Sequence, residues 1–107
     1  MQWKPQSKRR GDVIERLRRL GPELRALGVE RIGLFGSFCR DEPSEGSDVD
    51  ILVDFAPGKK SFDNFMRLAD RLEAVLGRPV ELVARESLSP HSGPRILEAT
   101  EYVSLSS

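Results

Sequence analysis

The chain of 107 residues has a single cysteine, Cys39, and a single histidine, His91. One cysteine cannot form a disulfide within the chain, and no Cys/His grouping has the spacing of a zinc site. We expect His91 to lie on the surface rather than to bind a metal. The absence of both features excludes a small disulfide-stapled protein and a zinc module.

Long apolar runs are also missing. No run approaches the roughly 18 residues needed to span a bilayer. The charged N-terminus lacks the apolar core of a signal peptide. These absences predict a cytoplasmic protein without a membrane partner.

The chain has no net charge, because 17 basic residues balance 17 acidic ones. Bulk attraction to nucleic acid is therefore not expected. The distribution is uneven: seven Lys/Arg lie between Lys4 and Arg19, and six acids with no base lie between Asp41 and Asp54. The basic stretch is either a solvated surface or a face that docks a partner.

The size of 12.0 kDa allows one domain, and 38% hydrophobic residues are enough for a core. We place a basic segment at 1–10, the domain at 11–103 and a tail at 104–107. Apolar steps of three and four predict an amphipathic helix over 13–27, interrupted at Gly21-Pro22. Ser61 and Gly77 are the predicted ends of a second helix, and Pro94 opens a short third one.

Three apolar stretches, 32–35, 49–55 and 79–84, are predicted strands. The connection between the first two is short for a parallel crossover, so we expect them to be antiparallel. A full helix separates the second strand from the third, which permits parallel pairing. The predicted fold is α/β (α+β), with a small mixed sheet packed by helices.

Asp48 and Asp50 are two positions apart at the start of a strand, so their carboxylates project from one face. Like charges so close are unfavourable unless a cation neutralises them, and hard oxygen ligands select magnesium or manganese. In an Asp-x-Asp pair taken alone, the first aspartate more often caps the start of the strand and the second simply faces solvent. Gly36-Ser37, ten residues upstream, changes this interpretation, because a glycine at a strand end lets main-chain amides approach phosphate oxygens.

The motif formed by Gly36-Ser37, ten intervening residues and Asp48-x-Asp50 matches the signature of the nucleotidyltransferase superfamily. Much of the chain, about 11 to 103, resembles the minimal nucleotidyltransferase (MNT) domain, whose members are antitoxins paired with HEPN ribonuclease toxins. The resemblance is carried by 34–40, 47–53, 55–63, 80–83 and 88–97.

The resemblance implies that Asp48 and Asp50 bind two Mg²⁺ ions, with Glu81 as the third carboxylate. The family more often has Asp there, which differs by one methylene. It also assigns Gly36 and Ser37 to the triphosphate of ATP. From the residues alone, two further contacts stay open: Arg40 either holds a phosphate or pairs with a nearby acid, and Ser47 either contacts phosphate or caps the turn.

The resemblance further implies transfer of AMP to a tyrosine hydroxyl of a HEPN toxin. Because the chain has no room for a second substrate-binding domain, a protein acceptor is favoured. Two alternatives remain. One is an antitoxin that acts only by binding, which is suggested by Glu81 in place of the more usual Asp. The other is an enzyme that acts on a small molecule.

Overall fold

The computed structural model describes residues 9–36 and 48–105. Within these ranges the chain forms four α-helices, four strands and one 3₁₀ turn. In chain order they are α1 (Arg10–Arg19), α2 (Gly21–Ala26), β1 (Val29–Phe35), β2 (Val49–Phe55), α3 (Phe62–Leu76), β3 (Val80–Ala84), the 3₁₀ turn (Arg85–Ser87), α4 (Gly93–Ala99) and β4 (Glu101–Val103). No helix in the described ranges is long and apolar enough to cross a membrane.

The predicted interruption at Gly21-Pro22 is confirmed as a break between α1 and α2. Pro22 lies in the first turn of α2, where its missing amide hydrogen leaves no helical bond unmade. Gly21 is buried, and a Cβ there would come within 3.1 Å of the Leu105 carbonyl oxygen. A glycine therefore allows the two helices to turn beneath the last described residues.

Both predicted ends of α3 are confirmed. The Ser61 hydroxyl accepts a hydrogen bond from the Asn64 amide at 3.1 Å, which satisfies one of the free amides of the first turn. Gly77 ends the helix in the left-handed conformation, at φ 69°. Leu68, Leu72, Val75 and Leu76 form its buried face.

The sheet has the order β3-β2-β1-β4. β1 pairs antiparallel with β2, as the short connection predicted. β2 pairs parallel with β3 through the α3 crossover, which the longer connection permitted. β4, which was not predicted as a strand, pairs antiparallel with β1. Leu105, in the predicted tail, is only 6% exposed and belongs to the core.

β2 has two differently used faces. Val49, Ile51 and Val53 are fully buried in the core that the sheet forms with α1, α2 and α3. Asp50 and Asp54 project from the opposite face together with Leu52, which is itself 1% exposed. Because β3 and β4 are the two edges of the sheet, the chain crosses the sheet between residues 84 and 101.

Candidate active site

Gly36 directly follows β1 and lies beside the carboxylate of Asp50. Its backbone is in the left-handed region at φ 76°, which L side chains rarely adopt. A Cβ at this position would overlap Asp50 Oδ2. Glycine is therefore required both by the conformation and by the close approach of the carboxylate to the main chain.

Asp50 and Glu81 are brought together by the parallel pairing of β2 and β3. They are direct register partners, on strands that lie about 4.8 Å apart, and their side chains project from the same face. Phe35 is the partner of Asp50 on the other side, in β1. Residues 31 positions apart in sequence thus contribute neighbouring carboxylates.

Asp48 immediately precedes β2 and is exposed, whereas Asp50 is half-buried. Alternation along the strand directs both toward the same face. Within 9–36 and 48–105, no three Asp, Glu, His or Cys side chains converge closely enough to form a ready-made ion site. The fold pairs Asp50 with Glu81 and with Gly36, and it leaves Asp48 at the open end of the strand.

Three predicted nucleotide contacts, Ser37, Arg40 and Ser47, lie outside the described residues, as does Cys39. Their assignments to phosphate stay predictions. The described part of the site therefore consists of Gly36, Asp48, Asp50 and Glu81.

Asp54 shares the face of Asp50 but has a different role. Its Oδ2 lies 3.4 Å from Arg31 Nη2 and 3.8 Å from Arg85 Nη1, and its side chain is 17% exposed. The Arg31 guanidinium in turn lies over the ring of Tyr102, 4.9 Å from its centroid. These contacts tie β1, β2, β4 and the 3₁₀ turn together. They could not be predicted, because the four residues come from separate segments of the sequence.

The family described as nucleotidyltransferase domain matches residues 12–103 of the sequence. The chain belongs to this family. A curated relative, the protein adenylyltransferase MntA of Thermococcus cleftensis, is 46% identical over 77 residues, which cover 72% of this chain and 77% of the relative. The match confirms the resemblance inferred from Gly36-Ser37 and Asp48-x-Asp50.

Solved structures extend the similarity of this nucleotidyltransferase domain to three dimensions. A toxin-antitoxin structure with AMP-PNP matches with a TM-score of 0.67 and 25% identity, covering 83% of this chain and 70% of the other. An MNT antitoxin in complex with a tri-AMPylated HEPN toxin of Shewanella oneidensis matches with a TM-score of 0.60 and 22% identity, covering 87% and 70%. The predicted fold class is confirmed.

The described donors of the nucleotidyltransferase domain fit magnesium. Asp48, Asp50 and Glu81 offer carboxylate oxygens only, and magnesium prefers such hard ligands together with phosphate oxygens. The absence of a side chain at Gly36 lets the Asp50 carboxylate pack directly against the main chain. This packing holds Asp50 at the end of β1, where its oxygens are suited to bind a metal ion together with phosphate oxygens.

Proposed function

We propose that this chain is a magnesium-dependent protein adenylyltransferase that transfers AMP from ATP to a tyrosine hydroxyl of a cognate HEPN toxin and thereby neutralises it. The observation that carries the proposal is the close packing of Asp50 against Gly36, with Glu81 in register beside it. The 46% identity to a protein adenylyltransferase supports the type of acceptor. ATP and the RNA targets of such a toxin are both cytoplasmic, which favours that compartment.

In the proposed reaction the tyrosine oxygen forms a bond to the α-phosphorus of ATP. The bond from this phosphorus to the bridging oxygen breaks, and pyrophosphate leaves. The hydroxyl proton passes to Glu81 or to water. The products are the AMP-tyrosine ester and pyrophosphate, so atoms and charge balance.

Apart from the proton transfer to Glu81 or water, the roles of the site residues in this reaction are to bind the metal ions and the phosphates. Asp48, Asp50 and Glu81 would hold two magnesium ions, which neutralise phosphate charge and lower the pKa of the acceptor hydroxyl when bound. Gly36 would contribute its main chain to phosphate binding, with the Asp50 carboxylate packed beside it. Ser37, Arg40 and Ser47 would complete the phosphate contacts, by hydroxyl and guanidinium donors.

The test mixes purified protein, α-labelled ATP, magnesium and the HEPN protein of the adjacent gene. We expect label on the toxin with the wild type, none with Asp48→Ala/Asp50→Ala, and undiminished label with Asp70→Ala. Asp70 is the matched control because it is an exposed acid on α3. Omission of magnesium should also abolish labelling. No transfer by the wild type, or equal transfer by the double variant, would contradict the proposal.

A second candidate is an antitoxin that acts by binding alone. The observation that favours it is Glu81, an exposed residue one methylene longer than the aspartate more usual in the family. This candidate predicts that Asp48→Ala/Asp50→Ala still protects cells from the toxin and still co-purifies with it. Loss of protection with retained co-purification would eliminate it.

A further inference from the structure

Glu73 lies in the last turn of α3 and bridges the connection that leads into β3. Its backbone carbonyl oxygen accepts a hydrogen bond from the Gly77 amide at 2.9 Å. Its side-chain Oε2 accepts a second hydrogen bond from the Val80 amide, also at 2.9 Å. One residue thus contacts both the glycine that ends the helix and the first residue of the strand. Glu81, the proposed third carboxylate, is the next residue along that strand.

The Val80 amide belongs to the peptide group that joins Pro79 to Val80. The carbonyl oxygen of the same group accepts a hydrogen bond from the Val49 amide at 2.9 Å. This peptide group is trans, so its C=O and N–H point in opposite directions. It is therefore held on one side by β2 and on the other by the Glu73 carboxylate. We call these two hydrogen bonds the Pro79–Val80 clamp.

The side of the clamp that Glu73 provides lies at an edge of the sheet. β2 is the neighbour of β3, and no strand follows on the other side in the part of the chain that the structure describes. An N–H at such an edge has no strand partner and is open to water or to another chain. A carboxylate acceptor makes a charge-assisted hydrogen bond, which is roughly twice as strong as a neutral one. Glu73 thus fixes a backbone group that the sheet alone leaves free.

The Pro79–Val80 clamp connects the backbone of all three proposed metal ligands. The Val49 amide is part of the peptide group that follows Asp48, and Asp50 is the next residue. On the other strand, Val80 is followed by Glu81, which is the register partner of Asp50. A displacement of the clamped peptide group would therefore be passed directly to the backbone next to each carboxylate.

Asp48 and Glu81 depend on their backbone for position more than Asp50 does. Both are exposed, whereas Asp50 is half-buried. Hydrogen bonds in a chain polarise one another, so a carboxylate on the N–H strengthens the C=O of the same peptide group as an acceptor. The Glu73 carboxylate therefore also strengthens the hydrogen bond to β2 directly after Asp48.

We propose that Glu73 is a positioning residue of the active site, which holds Asp48 and Glu81 at the spacing that bound metal ions require by means of the Pro79–Val80 clamp. This inference rests on the proposed function for the identity of the bound group. Glu73 acts through the backbone and not as a metal ligand, since its carboxylate already accepts the Val80 amide. Its removal should therefore weaken metal binding without removing any ligand.

The first test measures binding of Mn²⁺ alone to the purified chain, by the electron paramagnetic resonance signal of free Mn²⁺. Glu73→Ala should raise Kd about tenfold, the lower end of the range for residues that orient metal ligands. Glu73→Gln should stay within about threefold of the wild type, because its side-chain oxygen still accepts the Val80 amide. Asp70→Ala, which removes another exposed acid of α3, should leave Kd unchanged. In a Glu81→Gln background the effect of Glu73→Ala should shrink.

Two further measurements separate positioning from a general loss of stability. Hydrogen exchange of the Val80 amide, followed by NMR, should accelerate about five- to tenfold in Glu73→Ala, and that of the Val49 amide by less. Exchange at Leu72, in the buried face of α3, should not change. In AMP transfer, kcat should fall about tenfold while KM for the toxin changes less than about twofold.

Glu23→Ala is the stability control, because it breaks an ion pair between α2 and Arg71 of α3. It should leave the Mn²⁺ affinity unchanged even if it lowers the melting temperature. Unchanged Mn²⁺ affinity in Glu73→Ala would overturn the inference. So would an equal loss in Glu73→Gln, which would assign the effect to charge, or in Glu23→Ala, which would assign it to stability.

The outcome also distinguishes this inference from the proposed function. A wild-type chain that binds Mn²⁺ in a Glu73-dependent way but transfers no AMP would overturn the proposed function and leave the positioning role standing. AMP transfer by the wild type at an unchanged rate in Glu73→Ala would do the reverse. If the wild type does not bind Mn²⁺, both the metal site and the inference fail.

Discussion

Gly36 and Gly58 have nearly the same backbone conformation, with φ angles of 76° and 75°. Their surroundings differ. A Cβ at Gly36 would overlap the Asp50 carboxylate, whereas a Cβ at Gly58 would meet nothing within 4 Å. The two positions therefore separate the cost of a left-handed backbone from the cost of displacing a site carboxylate.

We expect Gly36→Ala and Gly58→Ala each to lower the free energy of unfolding by about 1–2 kcal/mol, measured by urea denaturation. Gly36→Ala should also reduce the rate of AMP transfer about a hundredfold, because it moves Asp50 by roughly 1 Å or more. Gly58→Ala should transfer AMP like the wild type. Full activity in Gly36→Ala would show that the position of Asp50 beside the main chain is not needed for the reaction.

Substitutions of Glu81 test whether the proposed site needs a third carboxylate. Glu81→Gln removes the charge without changing the size, and we expect the initial rate of AMP transfer to fall about a hundredfold. Glu81→Asp keeps the charge and restores the residue more usual in the family, so it should retain activity. The control is Glu98→Gln on α4, another exposed acid. If Glu81→Gln is as active as the wild type, Glu81 lies outside the catalytic set.

At the residue scale, sequence patterns were reliable where the interaction is local. The Ser61 cap and the Gly77 end of α3 were predicted because each depends on neighbours within four positions. Phe62, the first residue of α3, is 81% exposed, although an apolar residue at a helical position is ordinarily taken to face the core. Phe65 packs against the core and the fully buried face begins at Leu68, so only the packing distinguishes the two cases.

Among the secondary-structure elements, α1 stabilises the end of α3 through Arg16. This side chain is buried, with only 4% of its surface exposed. Its Nη1 donates to the carbonyl oxygens of Val75 at 2.9 Å and Leu76 at 3.5 Å. The last carbonyls of a helix have no partner within the helix, so the guanidinium acts as a cap supplied by another helix.

We expect Arg16→Met to lower the free energy of unfolding by about 1–3 kcal/mol, because it keeps the aliphatic contacts and leaves the two carbonyls without their donor. Urea denaturation monitored by circular dichroism measures the change. Arg18→Met is the control: Arg18 is exposed on the same helix, and its replacement should change stability by less than about 0.5 kcal/mol. Equal stability of the two variants would rule out the capping role.

The pattern of α1 contained a hint of this burial. Arg16 lies three positions after Val13 and four before Leu20, both of which face the core. Charged residues are rarely buried without partners, and the carbonyls that accept its hydrogen bonds are 59 and 60 positions away. The spacing of Arg16 is therefore compatible with burial, but the basic stretch that contains it was expected to be a solvated surface or a docking face, and its burial corrects that expectation for this residue.

For the whole molecule, the sequence predicted the mixed sheet and the antiparallel direction of its first strand pair. Connection lengths carried this prediction, because a short link favours an antiparallel pair, whereas a link with a full helix only permits the parallel pair that the structure has. The edge strand β4 could not be predicted in the same way. It has only three residues, and its strand character comes from pairing with β1, about 70 positions earlier.

The site was also only partly predictable at this scale. Asp48 and Asp50 stood out because they are close in sequence, and Glu81 was assigned by family resemblance. Asp50 and Glu81 are neighbours only because of the strand register. A shift of one residue in β3 would place Val80 or Leu82 beside Asp50 instead of Glu81. Register depends on the packing of α3 against the sheet, which short motifs do not encode.

The pairing of β4 with β1 has a consequence for synthesis on the ribosome. β1 is an inner strand of the finished sheet, but one of its edges is covered only by residues 101–103, and Gly21 is covered by Leu105. A nascent chain can form the β1–β2 pair much earlier and would then expose a row of unpaired backbone groups. Such an open edge favours pairing with other chains. Among the described strands, β4 emerges last, and it is the one that covers this edge of the growing sheet.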